Sequence, residues 1–264
     1  MIMETADQAA QNPGCRRALA ELLYQLADDE LCLGHRDSEW LGLAPDIEGD
    51  VAFSSIAQDE VGHAVFYLGL LHELGEESPD RLAFFRKAEE RKNAVLLEQP
   101  NGDWARTMVR HVLYDAFDDV RTEALVNSSY RPLARGVAKI RREEHYHLLQ
   151  LKPWFIRLAR AGGEARKRVE RAVGEVWSEA GGFFSLGDEE EEMIRSGLIA
   201  CGSEELARRW EMRVKPVFDE AGLTWPGLPP APGKDGRRGE HTEDLTELIR
   251  TMSEVVVTDS AARW

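Results

Sequence analysis

Two short elements in this sequence have the residue types and spacing for metal chemistry: Glu60-Val-Gly-His63 and Glu144-His-Tyr-His147. On a helix, a three-residue step puts both side chains on one face one turn apart, so a carboxylate and an imidazole can reach the same point. One such element in an acidic chain is a common coincidence. Two of them, each interrupting an apolar stripe, are not. Phe53, Ile56, Glu60, His63, Tyr67, Leu70 and Leu74 follow steps of three and four, and so do Leu133, Val137, Ile140, Glu144, His147, Leu151 and Trp154. Glu30 extends the stripe Leu19, Leu23, Leu26, and Asp115 extends Met108 and Val112, with Asp118, Asp119 and Glu123 competing for the same role.

A buried carboxylate is costly unless it is paired or bound to metal. Four helices that each point acids inward, two of them adding a histidine, match the di-iron or di-manganese bundle arrangement. Carboxylate oxygen with imidazole nitrogen suits iron or manganese, and no spacing supplies the thiolates of a zinc or iron–sulfur site. The expected ligands are Glu30, Glu60, His63, Asp115, Glu144 and His147, holding two iron ions, with manganese as the alternative. Glu143, His145, His35 and His72 lie off the stripes and are expected to face solvent. Tyr67 and Tyr146 are expected in the core or beside the ligands, and Asp59 is a candidate partner for the site. The acidic run Asp188 to Glu192 reads as a solvated helix start.

The elements that must position these groups follow from periodicity and breakers. Helices are expected over about 15–34, 46–74 (with Gly75 ending it), 78–95, 104–127, 132–161, 164–180, 188–199, 203–221 and 242–257. Pro153 is expected to kink or shorten its helix, and the Pro- and Gly-rich stretch 225–239 reads as an extended loop. No β-alternation or short repeat is present. The expected organisation is a frayed tail over 1–14 and a single all-α domain over 15–264, with a bundle core at about 15–160 and C-terminal helices and a loop over 164–264.

At 264 residues and 43% hydrophobic the chain can bury a sizeable core, and its formal charge of −15 argues against nucleic-acid binding. Three widely spaced cysteines form neither a disulfide framework nor a zinc motif. No apolar run is long enough for a membrane span and the N-terminus is polar, so a cytoplasmic, membrane-free protein is expected.

Several blocks carry a family resemblance over about residues 20–264: Leu26 to Trp40 leading into Ala44-Pro45, Leu97-Glu-Gln-Pro-Asn-Gly102, Tyr114-Asp115-Ala116, the Glu144 to His147 region, Gly239-Glu-His-Thr-Glu243 and the final Trp264. In these the chain resembles the C subunits of bacterial phenylacetyl-CoA oxygenase (the ring 1,2-epoxidase of phenylacetate degradation). The resemblance implies a ferritin-like four-helix bundle with additional C-terminal helices. It also implies membership of a cytoplasmic complex that uses oxygen and electrons from an NADPH-dependent reductase to epoxidise the aromatic ring of a CoA thioester. Implied partners are a ferritin-like catalytic A subunit, the other oxygenase subunits including the reductase, and a CoA thioester, in a homo- or hetero-oligomer. C subunits of this kind commonly serve as structural partners with decayed ligand positions. Here both Glu-x-x-His elements are intact, and their spacing looks like that of the catalytic relatives: Glu30 precedes Glu60 by 30 positions and Asp115 precedes Glu144 by 29. On that basis Glu60 and Glu144 are expected to bridge two ions, Glu30 and Asp115 to be terminal, and each histidine to bind one ion.

Overall fold

A computed structural model describes residues 2–259, and among these no strand forms. Seven long helices carry the architecture: α1 (Pro13–Ser38), α2 (Ile47–Glu73), α3 (Trp104–Leu125), α4 (Arg131–Arg160), α5 (Gly163–Ala180), α6 (Ser203–Ala221) and α7 (Glu243–Thr258). Their starts follow from side chains that satisfy the first free N–H groups. Asn12 accepts from Gly14 and Cys15, Asp46 from Gly49, and Asp103 from Arg106. Gly75 (φ 92°) follows the end of α2, and Gly222 (φ 69°) closes α6 in the left-handed conformation that glycine adopts without steric cost.

Helix α1 pairs with α2 and α3 with α4, and the contact of α2 with α4 closes a four-helix bundle of the ferritin-like kind. Helices α5 and α6 lie across α3 and α4, seated on a ring cluster of Trp177, Trp210, Phe218 and Trp225. Trp210 is fully buried and donates its indole N–H to the Leu113 carbonyl at 2.8 Å, tying α6 to the middle of α3.

Three elements differ most from the sequence expectation. The expected helix over 78–95 is broken into Pro79–Phe84, a 3-10 turn at Ala88–Glu90 and Val95–Glu98, because its residues serve the buried acids of α1 instead of one continuous stripe. Helix α4 continues past Pro153 to Arg160 instead of ending early, and the exposed position of the proline leaves the Leu149 carbonyl on the solvent side where water can satisfy it. The N-terminal stretch expected to fray carries a helix at Ala6–Ala10. Met3 there is buried and bridges Tyr130, with backbone bonds to Ser129 and Arg131.

The Pro- and Gly-rich stretch is an extended strap that ends in a buried latch. Arg237 inserts its guanidinium against Asp29 of α1, with Nη1 and Nη2 at 2.7 and 2.8 Å from the two carboxylate oxygens. The fully buried Glu98 accepts from His241 Nδ1 (2.7 Å), the Thr242 N–H (2.6 Å), the Thr242 hydroxyl (2.7 Å) and Asn93 (2.9 Å). The Glu-Gln-Pro-Asn-Gly and His-Thr-Glu blocks therefore meet in space, and Glu98 holds the start of α7. Trp264 lies outside the described residues.

Candidate metal centre

Three consecutive acids of α1, Asp28, Asp29 and Glu30, are all buried. Successive residues on a helix point about 100° apart, so each meets a different surrounding. Asp28 is held by Arg86, Arg91 and the Lys92 N–H, and Asp29 by Arg121, Arg237 and the Ala94 N–H. Only Glu30 turns into the bundle. One turn later, Gly34 has no side chain where a Cβ would lie 3.0 Å from Glu60 Cβ, which lets α1 approach α2 beside the site.

Inside the bundle, Glu30, Glu60, His63 and Glu144 offer ligand atoms that all lie within 4.8 Å of one another, and all four are buried. His63 Nδ1 is 3.4 Å from each of Glu30, Glu60 and Glu144. His147 Nδ1 approaches Glu60 and Glu144 at 3.4 and 3.5 Å. The two imidazoles are 6.4 Å apart, centroid to centroid. Five of the six expected ligands thus converge, one or two from each of α1, α2 and α4.

Asp115 stands beside this group without joining it. Its Oδ1 lies 3.2 Å from His111 Nδ1, and its Oδ2 is buried with no hydrogen-bond partner. The other acids of α3 are taken up elsewhere. Asp118 binds Arg121 at 2.6 Å, while Asp119 and Glu123 pair with Arg141 and Arg213 toward the surface.

The imidazoles are oriented from behind. With Nδ1 inward, His63 turns Nε2 to Glu143 at 3.1 Å and His147 turns Nε2 to Asp59 at 3.3 Å. An outer carboxylate of this kind fixes the ring and raises its basicity as a ligand. The arrangement is reciprocal: the acid preceding each Glu-x-x-His serves the histidine of the other element. Asp59 is the partner the sequence suggested. Glu143, expected to face solvent, is only partly exposed and bonded to His63, because α2 packs against that side of α4. The acid before each glutamate was the available sequence signal. Tyr67 is buried as expected, whereas Tyr146 is 69% exposed and lies neither in the core nor at a ligand. Sequence reasoning also missed His111, whose ring bridges Asp37 (2.8 Å) and Asp115, and Arg121, which stands 3.6 Å from Glu30.

The electrostatics are those of an acid cluster short of positive charge. Burial, then the charges of Glu144 and Glu30, push the Glu60 carboxyl well above the usual range. Burial opposes charge on His147, but Glu144 and Glu60 outweigh it and raise the imidazole to about 12. His63 is raised likewise against its burial, by Glu144, Glu30 and Glu60. Burial would raise Glu144 too, yet the charge of His147 and the nearby His63 hold it down at about 2. Arg121 is the permanent cation within reach of Glu30, and it is already bound to Asp29 and Asp118. Protons on the imidazoles therefore stand where a metal's charge would go.

The fit to metal rests on unsatisfied atoms. Both carboxylate oxygens of Glu60, both of Glu144, and His147 Nδ1 are buried with no hydrogen bond of good geometry. A buried polar atom without a partner costs about 1–3 kcal/mol, more when charged, so five at one point make a site that a bound cation would stabilise. Oxygen and nitrogen donors without thiolate fit iron or manganese.

Comparison with known proteins identifies the family. A family model described as "Phenylacetic acid catabolic protein" matches residues 2–264. The chain is 32% identical over 235 residues to the C subunit of 1,2-phenylacetyl-CoA epoxidase from Escherichia coli (strain K12), covering 89% of this chain and 94% of that protein. It is 26% identical over 217 residues to the A subunit of the same epoxidase, covering 80% of this chain and 69% of the relative. The chain belongs to the phenylacetic acid catabolic protein family.

Proposed function

We propose that this protein is one component of a multicomponent oxygenase that epoxidises the aromatic ring of phenylacetyl-CoA, and that Glu30, Glu60, His63, Asp115, Glu144 and His147 hold two iron ions in it. The single observation that carries the metal reading is the set of buried, unpartnered oxygens on Glu60 and Glu144. The substrate class follows the names of the relatives.

Iron held there would supply the electron-transfer chemistry that activates oxygen. The protein's own residues set the conditions for it. Glu60 and Glu144 present four oxygens between the imidazoles, Glu143 and Asp59 hold the rings with Nδ1 inward, and Phe53, Ile56, Tyr67, Val137 and Ile140 continue the same helix stripes as buried, largely apolar neighbours. A cavity of about 920 Å3 lies between α3, α4 and α6, walled by Val112, Ala116, Leu148, Ile156 and Val217, with Arg157 among its lining residues. Its walls come from residues adjoining Asp115 and His147 in sequence, and an apolar chamber with a guanidinium suits an aromatic acyl group on an anionic carrier.

A second reading, a non-catalytic component that docks a catalytic A subunit, is favoured by the greater identity to the epoxidase's C subunit than to its A subunit. In either case the expected partners are a second ferritin-like chain and the remaining oxygenase components, including a reductase, in the cytoplasm. Among the described residues no helix is long and apolar enough to cross a membrane.

The test is anaerobic reconstitution with iron(II) followed by metal analysis. Two ions per chain are expected, with loss of tight binding in His63→Ala and Glu144→Ala while helicity is retained. Protein that takes up neither iron nor manganese refutes the site. Oxygen consumption with the reductase, measured with and without the catalytic partner chain, separates the two readings.

A further inference from the structure

The six ligand positions do not form two equal halves. Glu30, Glu60, His63 and Glu144 already converge within 4.8 Å, so one ion can enter with four protein ligands in place. On the His147 side, Glu60 and Glu144 approach the imidazole at 3.4 and 3.5 Å, and the remaining carboxylate, Asp115, forms no hydrogen bond with the group. It sits at the end of a buried relay. Asp37 Oδ1 lies 2.8 Å from His111 Nε2, and His111 Nδ1 lies 3.2 Å from Asp115 Oδ1. Asp37 and His111 are fully buried and Asp115 nearly so, leaving the relay no water to fall back on.

Two features give the relay a direction. Both ring nitrogens of His111 face carboxylate oxygens, so the ring donates to both when protonated, and Asp37 fixes its plane. That leaves Asp115 with one oxygen occupied and the other, Oδ2, buried and free. Phe53 stands edge-on to the His111 ring at 5.4 Å and limits its rotation.

Resting on the metal reading above, we propose that the two ions load in order: the first into Glu30, Glu60, His63 and Glu144, the second on the His147 side only because the Asp37–His111 relay presents Asp115 through its free oxygen. His111 and Asp37 are positioning residues, acting through Asp115. Mutation of an outer partner of this kind typically costs about 10–100-fold in metal affinity.

The experiment is a manganese(II) titration of the metal-free full-length chain, followed by electron paramagnetic resonance and by bound-metal analysis. In the parent protein the signal of an isolated ion should rise to one equivalent and then fall as a coupled pair forms. In His111→Gln the first step should be unchanged and the second weakened about 10–100-fold. Asp37→Asn, which touches no ligand, should move the second step the same way, and circular dichroism and thermal melting check that both variants are folded. Two ions of equal affinity in the parent overturn the ordering. A second step unchanged in both folded variants, or a first step weakened equally, overturns the relay. Absence of any bound manganese or iron(II) in the parent sinks the metal reading and this inference with it.

Discussion

Replacing Arg237 by methionine removes the charge of the strap's latch while keeping most of its apolar stem. Arg237 is 1% exposed and its partner Asp29 fully buried. The change deletes both bonds to Asp29, at 2.7 and 2.8 Å, and a third to the Lys92 carbonyl at 2.7 Å. Breaking a buried ion pair from one side costs about 3–5 kcal/mol, chiefly because the remaining charge is left uncompensated. Asp29 keeps Arg121 at 2.5 Å and the Ala94 N–H at 2.8 Å, which places the expected loss near the lower end, about 3 kcal/mol. For a chain of this size that corresponds to a fall of roughly 6–12 °C in Tm. The control is the next residue. Arg238 pairs with Asp188 at 2.9 Å, but the side chains are 53% and 80% exposed, so Arg238→Met should stay within about 0.5 kcal/mol of the parent. Urea unfolding followed by far-UV circular dichroism, with both variants free of metal, measures the difference. An Arg237→Met protein within about 1 kcal/mol of the parent, or no less stable than Arg238→Met, would show that the latch does not hold the strap.

Metal-free protein should lose stability as pH rises through the His111 titration. Its imidazole is raised to about 9, against its burial, by Asp37 and Asp115; a raised folded value gives stability that is complete below the unfolded value near 6.5 and gone above the folded one. The contribution is on the order of 3 kcal/mol, and His111→Gln should flatten stability between pH 6.5 and 9. Manganese binding should release protons, because His63 and His147 are held protonated by the carboxylates of the site. A pH-indicator dye in weak buffer reads this, and metal uptake without release would contradict the electrostatic picture. Glu98→Gln turns a four-fold acceptor partly into a donor facing donors, and should destabilise by about 2–3 kcal/mol in the same urea assay. Gly181→Ala would put a Cβ 1.8 Å from the Pro230 carbonyl oxygen, backbone that cannot swing aside, and should cost about 1–3 kcal/mol.

Much of the bundle was legible because its signal is local. The stripes of α2 and α4 repeat every three or four residues, and α6 begins and ends where the pattern did. Glu30, Glu60, His63, Glu144 and His147 were legible for the same reason, each lying on a stripe that had to face the core. Segment 78–95 was not, since its backbone N–H groups and arginines are spent on Asp28 and Asp29, contacts some 60 positions away in sequence that no periodicity encodes. The choice among the acids of α3 was equally hidden. Asp115, Asp118, Asp119 and Glu123 span little more than two turns, and what separates them is which cation each meets: His111, Arg121, Arg141 or Arg213.

That sorting by cation explains how an acidic chain keeps so many carboxylates inside and still defines one site. Asp28, Asp29 and Asp118 are closed by guanidinium groups, Asp37 and Asp115 share one imidazole, and Glu98 is saturated by an imidazole, a hydroxyl, an amide and a peptide N–H. Glu30 is partly served by Tyr114 and Arg121. Glu60 and Glu144 face each other's histidines and receive no fixed cation. A buried charge without a partner is the most expensive feature a fold can retain, so where most other buried acids of these helices are closed by guanidinium groups or hydrogen-bond donors, Glu60 and Glu144 depend on protons carried by His63 and His147, the charge that a bound metal would replace.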